Sequence, residues 1–118
     1  MQKQLIFMKN HNKQPLVSII MNCRNGEKYL TESVKSVLQQ TYKNWELIFF
    51  DNCSTDKSKK IIKNFTDKRI KYFNSKKSLS LYDARNFAIR KTKGKYVSFL
   101  DTDDLWTKDK LQQQVSFL

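Results

Sequence analysis

Asp101, Thr102, Asp103 and Asp104 follow directly on Gly94-Lys95-Tyr96-Val97-Ser98-Phe99-Leu100. Carboxylates crowded into four residues repel one another, and each is costly to strip of water unless a cation or an N–H group holds it. Oxygen ligands so grouped suit a hard divalent cation. The run before them is aromatic and β-branched, with a glycine turn in front, and reads as a buried strand. Ligands of open α/β sheets sit at the carboxyl ends of the strands. A divalent metal with a phosphorylated ligand at that edge is the leading reading. A solvated acidic turn capping the next helix is the plain alternative.

A βα alternation supplies the elements that must position such a site. Val17-Ser18-Ile19-Ile20-Met21 reads as a first buried strand, broken by Asn25-Gly26. Leu30, Val34, Val37 and Leu38 then recur at helical spacing and predict an amphipathic helix over 27–40. Residues 46–50 form the second strand. Ser54-Thr55-Asp56 offers N-cap chemistry to a helix with Ile61, Ile62 and Phe65 on one face. Residues 69–73 alternate as a half-exposed third strand would. Leu81, Ala84 and Ala88 share a face of the next helix, which closes on Lys91, Lys93 and Gly94. Residues 96–100 are the fourth strand. Strands separated by helices of this length imply right-handed crossovers, so the fold class is α/β, a Rossmann-like, mainly parallel sheet with flanking helices. From Asp109 a last helical pattern sets Leu111, Val115 and Leu118 on one side and stops with that face uncovered. It reads as part of a larger fold, the alternative being a short final helix packed back on the sheet.

With 118 residues the chain has room for one small domain. An aromatic content of 13% argues against disorder. The net charge of +12 fits an anionic partner such as a nucleotide diphosphate, a nucleic acid or an acidic membrane surface. Dispersed lysines used as generic solvated residues explain it equally well. Cys23 and Cys53 lack metal-ligand spacing and read as free thiols of a reducing cytoplasm. The apolar run 5–8 is too short for a signal-peptide core or a membrane span. His11 stands in a polar N-terminal arm, residues 1–14, and reads as having no chemical role.

The ordered set of residues 17–25, Phe50-Asp51-Asn52-Cys53-Ser54-Thr55-Asp56, Ala84-Arg85-Asn86 and 94–106 resembles the family 2 glycosyltransferases, nucleotide-sugar-dependent enzymes of the GT-A fold. The likeness runs from Pro15 to the end and implies that 15–118 is the nucleotide-sugar-binding, N-terminal part of such a domain. By this resemblance Asn22, Cys23, Arg24 and Asn25 lie against the base and ribose, Arg24 standing where the family commonly has an aromatic residue. Asp51 keeps the first position of the second-strand motif, and Asn52 replaces its second, usually acidic, residue. Asp101-Thr102-Asp103 matches the Asp-x-Asp element that binds Mg²⁺ or Mn²⁺ bridging the donor phosphates, with Asp103 as direct ligand and Asp101 on ribose or the metal. Asp104 is expected to support or cap, and Arg85 to pair with phosphate or form a surface salt bridge. The acceptor half and the carboxylate acting as general base are expected beyond residue 118. The implied reaction transfers sugar to an acceptor hydroxyl in lipopolysaccharide or other surface-glycan synthesis. Its partners are a nucleotide-sugar donor and a glycan or lipid-linked acceptor, with peripheral contact at the inner face of an anionic membrane.

Two other classes compete. A phosphoryl-accepting receiver domain needs acids after its first strand, where this chain has residues 22–25. A basic α/β nucleic-acid-binding module without catalysis would use the lysines between Lys57 and Lys77, but no helix-turn-helix or stacking motif accompanies them, and no nucleic-acid partner is expected.

Overall fold

The computed structural model describes residues 14–118; the arm up to residue 13, and with it the reading of His11, lies outside the described residues. Four strands, β1 (Val17–Cys23), β2 (Trp45–Asp51), β3 (Ile70–Asn74) and β4 (Tyr96–Phe99), form one sheet in the order β3-β2-β1-β4. Every pairing is parallel. Cys23 pairs with Asp51 and Asp51 with Asn74, so three strands end level. Phe99 pairs with Ile20, and the Leu100 N–H still donates to the Ile20 carbonyl at 3.0 Å. The chain then turns off into 101–104 beside the end of β1.

Alternation along the central strands divides the core. Val17, Ile19, Met21, Leu47 and Phe49 face one side, under α1 (Leu30–Leu38), α2 (Ser58–Lys63) and α4 (Lys110–Ser116). Ile20, Ile48 and Phe50 face the other, under α3 (Leu81–Arg90). Ala84 and Ala88 let α3 approach closely, and the Phe87 ring packs tilted against Phe50 with centroids 4.7 Å apart.

Several expectations shift. The first helix begins at Leu30 rather than 27, because residues 26–29 form a turn in which the Tyr29 and Leu30 N–H groups donate to the Gly26 carbonyl. Leu81 is 60% exposed rather than core-facing, since Ser80 caps α3 by accepting from the Asp83 N–H and Leu81 lies in the first, outward turn. The fourth strand is not buried throughout: Val97 and Phe99 stay largely exposed on the sheet edge, while Leu100 is buried. Leu111 alone of the last helix is fully buried; Val115 packs partly, and Phe117 and Leu118 are exposed.

The amino-terminal ends of β1, β2 and β4 are pinned together by a buried carboxylate. Glu46 Oε2 accepts from the Ser18 hydroxyl at 2.6 Å and from the Lys93 N–H at 2.7 Å, and the Gly94 N–H donates to Ser18 Oγ at 2.8 Å. A Cβ on residue 94 would stand 2.6 Å from Ser18 Oγ and 2.7 Å from the Leu16 carbonyl oxygen. Gly94→Ala is therefore expected to lower the unfolding free energy by roughly 1–3 kcal/mol in urea denaturation, the range for an overpacked site. Wild-type stability in that variant would contradict this packing.

Candidate functional site

The loops after β1 and β2 are stitched to each other. Asn25 adopts φ 54°, a left-handed conformation that asparagine tolerates better than most residues. Its Oδ1 accepts from the Thr55 N–H at 2.8 Å and the Asp56 N–H at 3.3 Å. In return the Asn25 N–H donates to Ser54 Oγ at 2.9 Å, and the Gly26 N–H to Ser58 Oγ at 2.9 Å. Asp56 accepts from the Glu27 and Ser58 N–H groups at 3.0 and 2.9 Å. Burial would raise its carboxyl, but these hydrogen bonds outweigh burial and hold it below the ordinary carboxylate range. Ser54 and Thr55, expected as helix-capping residues, thus serve mainly to join two loops; only Asp56 also reaches the first residue of α2.

Beneath these loops lie three residues expected at the ligand. Cys23 is buried, its Sγ 4.0 Å from Ser54 Oγ, and burial pushes its thiol up. Cys23 and Cys53 are both free thiols. Asp51 is buried with Oδ1 accepting from the Ser54 N–H at 3.0 Å and Oδ2 from the Tyr72 hydroxyl at 3.0 Å. Asn52 pairs with the backbone of Leu79 in both directions at 2.8 Å, Oδ1 accepting from its N–H and Nδ2 donating to its carbonyl. An aspartate there would meet that carbonyl with a second acceptor, so the amide is what lets the chain before α3 close against β2. Arg24 donates to Ser78 Oγ in the same segment. The Arg85 guanidinium lies 5.8 Å from the centre of the Phe99 ring, at the end of β4, and makes no salt bridge among the described residues.

Asn22, Asn25, Asp101, Thr102 and Asp103 line one open cleft of about 550 Å³, together with Gly26, Lys28 and Tyr29. Carboxylate oxygens of Asp101, Asp103 and Asp104 lie within 4.8 Å of one another, all exposed. Asp104 thus joins the cluster it was expected only to support. Three oxygen donors at an open edge fit a hard divalent cation with room left for ligand oxygens. Asn22 Oδ1 is buried without a hydrogen-bond partner, an acceptor aimed at nothing in the protein. It suits a ligand hydroxyl or N–H. Lys28 and Tyr29 carry no signal of a site in the sequence, since helical spacing runs through them; Tyr29 is 50% exposed with the Lys28 ammonium 5.2 Å from its ring centre. Arg24, Asn52 and Arg85 are not on the walls of this cleft.

Residues 18–118 match the profile of Glycosyl transferase family 2. The chain belongs to that family. It is 41% identical over 103 residues to UDP-Glc:alpha-D-GlcNAc-diphosphoundecaprenol beta-1,3-glucosyltransferase WfgD of Escherichia coli, covering 87% of this chain and 41% of that protein. The crystal structure of S. aureus TarS 1-349 in complex with UDP superposes with a TM-score of 0.81 at 30% identity, over 86% of this chain and 31% of that fragment. The mannosyltransferase PcManGT of Pyrobaculum calidifontis, solved with GDP-Man and Mn²⁺, shares the fold at 23% identity and a TM-score of 0.79. The α/β sheet of this chain is that of the N-terminal part of a GT-A fold, and the chain spans less than half the length of the curated relatives it matches.

Burial and the adjacent Asp51 carboxylate push the Tyr72 phenol up to about 12. A raised acid favours the fold below the unfolded value near 10, and that contribution is lost as pH climbs from about 10 through 12. Asp51→Asn removes the charge, so NMR titration of ring-labelled tyrosine is expected to show Tyr72 ionising closer to 10 and the alkaline loss of stability shrinking. An unchanged Tyr72 titration would show that Asp51 does not face it.

Proposed function

We propose that this chain is the donor-binding part of a glycosyltransferase that moves a sugar from a nucleotide-diphosphate sugar to an acceptor hydroxyl. The observation that carries this reading is the convergence of Asn22, Asn25, Asp101, Thr102 and Asp103 on one cleft at the carboxyl edge of the sheet. Asp103 and Asp101, with Asp104 beside them, would hold Mg²⁺ or Mn²⁺. The cation's contribution is to neutralise charge on the departing diphosphate. Asn22 Oδ1 accepts from a hydroxyl or N–H of the nucleotide, and Asn25 and Thr102 border the same ligand. Arg24 and Arg85 offer planar donors to base and phosphate from outside the cleft wall. Cys23, Asp51 and Asn52 act from below by fixing the loops that present these groups. In the reaction the anomeric carbon–oxygen bond to the diphosphate breaks and a bond to the acceptor oxygen forms. The acceptor proton passes to a carboxylate expected beyond residue 118.

WfgD is named for a diphosphoundecaprenol-linked acceptor and TarS was solved with UDP, which supports a uridine nucleotide donor and a lipid-linked or surface-glycan acceptor for the whole protein. Among the described residues no helix is long and apolar enough to cross a membrane. Peripheral contact of a basic cytoplasmic enzyme with an anionic bilayer fits the net charge of +12. Vesicle flotation is expected to show binding to anionic lipid that fades with salt; salt-insensitive binding would contradict an electrostatic contact.

Calorimetric titration with UDP and GDP, each with and without Mn²⁺, tests the donor site. Wild-type protein is expected to bind one of them in a Mn²⁺-dependent way, and Asp103→Asn to weaken that binding by at least about tenfold, as loss of a metal-site contact does. Equal binding by the two proteins would remove Asp103 from the site. Binding of duplex DNA that ignores Mn²⁺ and nucleotide but falls steeply with salt would favour a nucleic-acid-binding module.

A further inference from the structure

The three clustered carboxylates have no side-chain hydrogen bond or ion pair of their own among the described residues. Like charges within 4.8 Å repel, so the backbone beneath them must resist their spreading. That backbone is a turn in which the Asp104 N–H donates to the Asp101 carbonyl at 3.0 Å. Under it lies Ser33 of α1, fully buried. Its hydroxyl is within reach of both ends of the turn, 3.2 Å from the Asp101 carbonyl and in contact with the Asp104 carbonyl.

Ser33 begins a buried polar row, Ser33, Ser36 and Gln40, along α1 and just past its end. Ser36 Oγ accepts from the Trp106 N–H at 3.2 Å, and Gln40 donates to the Thr107 carbonyl at 2.7 Å and accepts from the Leu111 N–H at 3.0 Å. Buried hydroxyls and amides are unfavourable unless bonded, and all three bond to the segment 101–111, while the Ser36 hydroxyl also donates to the Ser33 carbonyl at 2.6 Å and the Gln40 amide to the Ser36 carbonyl at 3.1 Å. Ser36 and Gln40 hold the approach to α4. Only Ser33 touches the carboxylate turn.

We propose that Ser33 is a positioning residue for the cation site: its hydroxyl ties both ends of the 101–104 turn and so sets the spacing of the carboxylates above. This rests on the metal site argued in the preceding subsection. Removing the hydroxyl leaves the carbonyls of Asp101 and Asp104 without their shared donor, and repulsion then opens the cluster whenever no cation is bound. Cation binding must first close it again.

The test is Mn²⁺ binding followed by electron paramagnetic resonance at saturating UDP, alongside thermal melts of the same proteins. Ser33→Ala is expected to weaken Mn²⁺ binding about tenfold, the scale of one buried hydrogen bond. Ser33→Cys, nearly the same size with a weaker donor, is expected to fall between and guards against misfolding of the alanine variant. Ser36→Ala removes the acceptor of the Trp106 N–H and a donor to the Ser33 carbonyl, neither on the carboxylate turn, and is expected to lower the melting temperature while leaving Mn²⁺ affinity within about twofold. Wild-type Mn²⁺ affinity in Ser33→Ala, or equal losses in Ser33→Ala and Ser36→Ala, would overturn the assignment while the metal site stands. Absence of Mn²⁺ binding by the wild-type protein would instead bring down the site itself and this role with it.

Discussion

Four strands running the same way force every strand-to-helix loop onto one edge of the sheet, and on that edge backbone groups leave the ladder and need new partners. The cleft owes its form to how those partners are found. Two loops satisfy each other through Asn25, Ser54, Asp56 and Ser58. The segment before α3 is satisfied by Asn52, and the acidic segment by α1. The polar residues of the edge therefore fall into a lower tier that holds backbone and an upper tier left free for a ligand.

That division explains why residue type alone gives an incomplete account of the site. Asp51 and Asn52 are as polar as Asp101 and Asp103, yet the first pair is buried and engaged while the second is exposed and open. Electrostatics follow the same division. A buried carboxylate such as Asp51 is held by N–H and O–H donors, whereas the exposed cluster lacks internal compensation and retains its capacity for a cation.

The strands, their order along the chain and the acidic cluster were legible in the sequence because each rests on a local signal. β1 and β2 centre on the apolar runs 19–21 and 47–50, as central parallel strands do. The start of α1 was misplaced because helical spacing persists through Glu27 while tertiary hydrogen bonds to the β2 loop hold 26–29 as a turn. Leu81 was misassigned because a three-four pattern cannot tell a first turn that overhangs the sheet from one that covers it. The roles of Ser33, Ser36 and Gln40 were invisible for another reason: their partners lie about seventy residues away, and small polar residues on an amphipathic helix look solvated until the fold buries them.

The most direct test of the central claim is paramagnetic line broadening by Mn²⁺ in the amide spectrum of the ¹⁵N-labelled chain with UDP present. Broadening centred on residues 101–104 and reaching Asn22, Asn25 and Tyr29 across the cleft is the expected pattern, with Val17 and Trp45 at the far ends of β1 and β2 least affected. Broadening centred elsewhere, or spread evenly over the surface, would contradict a cation site built by these converging loops.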